Sequence, residues 1–262
     1  MTTNQPSTIQ SNTATTLATT TATTNTATNT ANTVTNTANS ATNTATASQP
    51  SSTSTGGGTS SSLTSDDANR LTSLGFQALG TNAKDSSGGV WIGSGGAYTS
   101  SFTNSYSSGI ILVVWGPAAS WVNAHTPLIT VSLPPQGSTT ISFAYQQSGA
   151  WSAVYPDTTL VNGQISNTWA EYTFTSTGVV DVSRLVNANG HSLEVVGPSC
   201  TSNMSTCVFE CNSGTTCMTG YKLVNCGSQS GAQLGTDSNG ADSGGCGWNG
   251  ATTGSFKTTF GA

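Results

Sequence analysis

The residues with the most distinctive chemistry are six cysteines, Cys200, Cys207, Cys211, Cys217, Cys226 and Cys246, all from residue 200 onward. Thiols pair as disulfides or, as thiolates, hold soft metals. The spacing C-x6-C-x3-C-x5-C-x8-C-x19-C contains no C-x-x-C pair, and the nearest histidine is His191. Zinc is therefore the weaker reading. An even number of cysteines in a Ser/Thr/Gly-rich chain predicts three disulfides, with their pairing open. No metal and no cofactor is expected. His125 lies in the loop-like Asn123-Ala-His-Thr-Pro and His191 follows an Asn189-Gly190 turn. Neither stands beside a Gly-x-Ser-x-Gly elbow, so both read as surface histidines rather than bases for a nucleophile. Gly93-Ser-Gly-Gly lacks the lysine and the helix of a phosphate loop.

The six tryptophans are a different resource. An exposed indole is a flat platform for the apolar face of a sugar; a buried one needs a partner for its N–H. Trp115 and Trp169 lie inside strand patterns and are expected in the core. Trp121, Trp151 and Trp248 stand next to turns, which makes them surface candidates, Trp121 and Trp151 for ligand binding. Asn203-Met-Ser is the sole N-glycosylation sequon.

The chain that must position these groups is poor in charge: 6% of its residues are charged and its net charge is −5. Its basic residues are Arg70, Lys84, Arg184, Lys222 and Lys257, too scattered to neutralise phosphates, so nucleic acid is excluded as a partner. No apolar run approaches the roughly 20 residues that cross a bilayer. The start, MTTNQPSTIQ, shows no signal peptide, so the expectation of a secreted, extracellular or cell-wall protein rests on cysteines and composition. A monomer is expected.

Residues 1–65 contain no charged residue and no histidine and are mostly Thr, Asn, Ala and Ser, with scattered apolar positions. Such a segment cannot bury enough apolar surface to offset backbone entropy, and it reads as a disordered tail. Its reiterated Asn-Thr-Ala units and dense hydroxyls fit either an O-glycosylated stalk or a plain spacer. Gly56-Gly57-Gly58 marks a hinge. Ser65-Asp66-Asp67, with Leu71, Leu74, Ala78 and Leu79 at helical spacing, predicts a helix over 66–79, closed by Gly80. A Gly/Ser linker follows to residue 97. From 98 to 262 the period changes to that of strands, at 110–115, 128–133, 139–145, 151–155, 169–175, 179–183, 193–196, 221–225 and 255–260. Pro134-Pro135-Gln136-Gly137, Gly149 and Asn162-Gly163 supply turns. The pattern predicts an all-β domain, an antiparallel β-sandwich, with disulfide-held loops at 200–246.

Several segments, in order, resemble the thaumatin-like family. Trp169-Ala-Glu-Tyr-Thr-Phe is similar to its Leu-Ala-Glu-Phe-Thr strand, and Val180-Asp-Val-Ser-Arg-Leu-Val-Asn to the Tyr-Asp-Ile-Ser-Leu-Val-Asp that follows. Leu133-Pro-Pro-Gln-Gly-Ser with Ile141-Ser-Phe resembles its Leu-x-x-Gly-x-Ser turn and strand. Ile111-Leu-Val-Val-Trp-Gly resembles its first Thr-Val-Trp strand, and Ser255-Phe-Lys-Thr-Thr-Phe-Gly-Ala its closing Tyr-x-Val-x-Phe-Cys-Pro. The family's cysteines at the first strand and the closing segment are both missing here, as in a reduced, fungal-type member, so the termini must be closed by strand pairing or packing. The resemblance implies an acidic cleft. It assigns Glu171 and Asp181 to that cleft and puts Asn187 where the family has a further aspartate. Asn cannot act as acid or base. The functional expectation is a secreted, non-enzymatic, effector-like protein at a cell wall or host interface that binds β-glucan or another extracellular partner. The alternatives are a weak endo-β-1,3-glucanase using Glu171 and Asp181, and a structural cell-wall or spore-coat protein.

Overall fold

The computed structural model describes residues 58–261. Of the expected tail, residues 1–57 lie outside the described residues. From Gly58 the chain already belongs to the domain. Ser138 N–H donates to Gly58 C=O (3.1 Å), Ser60 N–H to Ser138 C=O (2.7 Å) and Ser132 N–H to Ser62 C=O (3.0 Å). Helix α1 (Ser65–Leu74) starts at Thr64, whose hydroxyl accepts the Asp67 N–H. It ends five residues earlier than its apolar spacing predicts. Gly75 adopts a left-handed backbone (φ 95°) and turns its N–H back onto Leu71 and Thr72 carbonyls, so Gly75, not Gly80, closes the helix.

Among the described residues, seventeen strands follow. The first are β1 (Val90–Ile92), β2 (Tyr98–Asn104), β3 (Ile110–Trp115), β4 (Ile129–Leu133), β5 (Ser138–Phe143) and β6 (Gln147–Val154). Next come β7 (Leu160–Val161), β8 (Gln164–Ile165), β9 (Trp169–Phe174), β10 (Val180–Ser183), β11 (Leu193–Val196) and β12 (Thr201–Ser202). The last are β13 (Val208–Cys211), β14 (Tyr221–Val224), β15 (Ala232–Thr236), β16 (Asp242–Cys246) and β17 (Gly254–Phe260). The supposed linker thus contributes an edge strand, β1, which pairs with β5.

One sheet has the order β1-β5-β2-β17-β11-β12, the other β14-β13-β10-β9-β6-β3-β4, with the β15–β16 hairpin joined to β10. Pairing is antiparallel except between β2 and β17 and between β10 and β13. The closing strand β17 is held between β2 and β11, so strand pairing secures the C-terminal end without a cysteine.

The two sheets face each other across one core. Strand β2 shows how the sequence builds it: Tyr98, Ser100, Phe102 and Asn104 point inward and are buried, while the residues between them face out. Tyr98 stacks on Phe174 of the opposite sheet (centroids 4.7 Å), and Phe102 meets Trp151 edge-on (5.2 Å). The outer face of the second sheet is covered in part by a smaller cluster. There Ile111, Val113, Trp115 and Trp169 pack under Leu71 and Phe76, Val122 and Ile165. That cover explains why β3 is buried at every position instead of alternating.

The disulfides are Cys200–Cys246, Cys207–Cys226 and Cys211–Cys217. The 200–246 region is not a set of loops. Beside the expected strand at 221–225, which is β14, its weak periodicity hides three more strands longer than a bridge, β13, β15 and β16, and β13 and β16 end at cysteines. Short, Gly-rich strands carry too few apolar residues for alternation to show. No helix among the described residues is long and apolar enough to cross a membrane.

Candidate functional site

The site lies where the cover over the second sheet stops. Along β9, Ala170, Tyr172 and Phe174 enter the core, so Trp169, Glu171 and Thr173 project to the outer face. Along β10, Val180 and Val182 enter the core, which sends Asp181 and Ser183 outward. The register puts Asp181 directly opposite Glu171 and Ser183 opposite Trp169. Directly opposed residues in an antiparallel pair have Cβ atoms about 4.5–5.5 Å apart. Two carboxyl groups ten positions apart in sequence are therefore neighbours on one floor.

Above them is a cavity of about 400 Å³, walled by Trp121, Trp169, Phe209 and Tyr221. Four acids line it, Glu171, Asp181, Asp237 and Asp242, and no lysine or arginine does. Arg184, the nearest base in sequence, is instead paired with Glu210 (2.7 Å) and donates to the Ala188 and Met204 carbonyls. A second cavity of about 300 Å³ shares Ser120, Trp169, Glu171 and Asp181 with the first, so open space lies on both sides of the acid pair.

Burial raises the Glu171 carboxyl above its ordinary value, partly offset by the Ser183 hydroxyl. Burial also raises Asp181, well above the usual range, and the charge of Glu171 pushes it further. Asp181 is 5% exposed, and its Oδ1 has no hydrogen-bond partner among the described residues. Asp237 is lowered, because the Ala241 and Asn239 N–H groups hold its carboxylate. Asp242 accepts the Leu223 N–H at 2.8 Å.

The raised pair makes stability depend on pH. The folded chain holds protons that the unfolded chain releases, so the contribution is complete below the unfolded carboxyl pKa and is lost as pH rises through the folded one. Asp181→Asn should therefore raise Tm near neutral pH by several degrees, since ~1 kcal/mol moves Tm by about 2–4 °C in a domain of this size. The gain should vanish in acid. Thermal melts at about pH 4 and about pH 7 check this; a variant less stable at both values would contradict the assignment of an unpartnered carboxyl.

The other expected site residues scatter. Trp121 is 40% exposed and stands at the cavity rim. Trp151 is a correction. It is fully buried, because β6 begins at Gln147 and the register against Val114 and Ala170 turns its indole inward. Trp248 is likewise internal, its Nε1–H donating to Thr175 C=O at 2.7 Å. Trp169 is buried as expected, but in the smaller cluster on the outer face of the second sheet and not between the sheets, and one side of it forms cavity wall. Asn187 is not beside the acid pair. It belongs to a separate pocket of about 100 Å³ with Asp157 and His191, and its side chain bonds Ser166 and the Asn189 N–H. There His191 Nε2 lies 2.9 Å from Asp157 and its ring stacks on Tyr155; His125 is exposed. The Asn203 carbonyl oxygen accepts from Ser205 and Thr206, and its amide donates to Glu194.

Sequence reasoning missed Asp237, Asp242 and Phe209, which lie in the segment read as loops, and did not assign Tyr221 to the site although it opens the strand expected at 221–225. The signal available was the Asp237-Ser-Asn-Gly240 turn, which marks the β15–β16 hairpin.

Residues 94–251 match the family model described as Allergen Asp f 4-like domain. The match runs from β2 through β16 and includes every residue of the acidic cleft. No curated protein matches the chain.

Proposed function

The chain belongs to the Allergen Asp f 4-like domain family, and we propose that it is a non-enzymatic extracellular protein that holds a polysaccharide of the β-glucan type in the acidic cleft, at a cell wall or host interface. The observation that carries this is the exposed Trp121 at the rim of a cavity floored by the Glu171–Asp181 pair. An indole face takes the apolar face of a sugar ring, and the carboxyl groups accept from its hydroxyls. Apolar walls with a few convergent polar groups are the usual make-up of a ligand site. Three disulfides and sparse charge support life in an oxidising compartment. The ordered likeness to thaumatin-like segments supports the same reading.

Retention on insoluble β-1,3-glucan tests it. Trp121→Ala should weaken binding about tenfold, as loss of an aromatic anchor does, while leaving Tm nearly unchanged because the side chain is exposed. A wild-type chain that is not retained would sink β-glucan binding; equal retention of the variant would remove the cleft from it. Hydrolysis is the second reading, favoured by the register that sets one raised carboxyl directly against another. Release of reducing sugar in the same incubation, lost in Glu171→Gln, would establish it. Neither retention nor release would leave the structural wall or coat role.

A further inference from the structure

We propose that the cleft selects a saccharide bearing ammonium groups, a glucosamine polymer, over the neutral or N-acetylated chain of the same backbone. This rests on reading the cleft as a polysaccharide site and adds the charge of the ligand. The first observation is the balance of charge: Glu171, Asp181, Asp237 and Asp242 line one cavity with no basic side chain among them. The second is Asp181, 95% buried, lining the cavity with an Oδ1 that no group among the described residues satisfies. A buried carboxylate oxygen without a donor is costly, and two carboxylates side by side cannot both ionise without a counter-charge.

Three ligand chemistries would supply a donor or a charge. A sugar hydroxyl donates to Asp181 but leaves the pair's charge uncompensated. A hard divalent cation neutralises charge but takes six or more oxygens in a tight shell. Among the described residues, the one group of three side chains with converging metal-capable atoms is Cys200, Cys207 and Cys226, whose sulfurs are in disulfides. An ammonium group meets both needs. It carries one positive charge and three N–H donors, enough to bond Glu171 and Asp181 together. Trp121, Trp169 and Tyr221 around it offer π faces to a cation.

The shape favours a chain over a single sugar. The two cavities meet at Glu171 and Asp181, so a linear saccharide can extend past the pair in both directions. On one side it reaches Asp237 and Asp242. A polymer with an amine on successive units meets carboxylates twice along that path; a polymer with amides or hydroxyls does not.

The test is titration of the full chain with glucosamine oligomers, N-acetylglucosamine oligomers of equal length and linkage, and soluble β-1,3-glucan. The glucosamine oligomer should bind at least about tenfold more tightly than its acetylated counterpart, as expected for a close charge pair. The gap should shrink at high salt and largely close in Asp181→Asn and in Glu171→Gln, each with Tm recorded to show a folded protein. Equal affinity for the two oligomers would overturn the proposal. So would a gap unchanged in both variants, or displacement by oligolysine but not by free glucosamine oligomer, which would point to a basic peptide. Amine-selective binding with no β-1,3-glucan binding sinks only the β-glucan reading. Glucan binding with no amine preference sinks only this inference.

Discussion

Trp151→Ala should destabilise the domain by about 3–5 kcal/mol, the range for removing a large aromatic from a packed core. The side chain is fully buried and touches both sheets. It meets Phe102 edge-on at 5.2 Å and Phe143 at 5.9 Å on one sheet, and stacks on Tyr172 at 5.3 Å within its own. Truncation would empty the space between the sheets where a row of rings from Tyr98 to Phe260 is otherwise continuous. The indole Nε1 has no partner among the described residues, so Trp151→Phe should lose much less: it keeps a ring and removes an unsatisfied donor. Urea denaturation of the two variants measures the difference. A loss below about 1 kcal/mol for Trp151→Ala would mean that the sheets are not held together through this cluster. Trp121→Ala, by contrast, should stay within about 0.5 kcal/mol of wild type, as surface substitutions usually do.

Removal of the Cys200–Cys246 bridge should cost about 4 kcal/mol, and removal of Cys211–Cys217 about 2 kcal/mol, on a chain-entropy account. The difference follows from the separations, 46 residues against 6. Position adds to it. Cys246 ends β16, pairs in register with Val180 of β10, and is buried in the main core with Cys200 and Trp248. Read from the sequence, the staples pin loops and leave the sheet to itself, so mild reduction should loosen loops first. The structure changes that expectation for two bridges, since Cys207 and Cys226 are buried in the main core as well, and most of all for Cys200–Cys246 with its wider span. Serine at both Cys200 and Cys246 should weaken strand signal in far-UV circular dichroism and ligand binding together, because β16 and its hairpin partner carry the Asp237 and Asp242 side of the cleft. Serine at Cys211 and Cys217 should lower Tm modestly and keep the strand signal. Unchanged melting without Cys200–Cys246 would show that strand pairing alone holds this wall.

The two tryptophans, 121 and 151, show where local reading succeeds and where it stops. Both neighbour turn-forming residues. For Trp121 the neighbouring chain is a loop and the indole is exposed. For Trp151 the supposed turn at Gly149 is strand. Gly149 (φ 153°) faces the Trp115 backbone, and an added Cβ would collide with its carbonyl oxygen. A glycine kept for close approach and a glycine kept for a turn look the same in sequence. The helix shows a similar limit: apolar spacing continues past Leu74, but the left-handed Gly75 stops the hydrogen bonding first.

What the sequence by itself determined is whatever depends on near neighbours. The β-branched run of β3, the acids in the first turn of α1 and the even cysteine count specify a β-rich, disulfide-bonded domain; the alternation of β2 and the cap at Thr64, in place of the expected Ser65, emerge only in the structure. Glu171 and Asp181 were legible as candidates through the resemblance of their segments. What only the tertiary structure decided is how far-apart residues meet: that Asp181 opposes Glu171, that Asn187 sits with His191 instead, that Asp237 and Asp242 complete the cleft, and which cysteines pair. The physical reason is that a strand's own period sets which residues share a face, whereas register and long-range packing set which faces meet and which stay open.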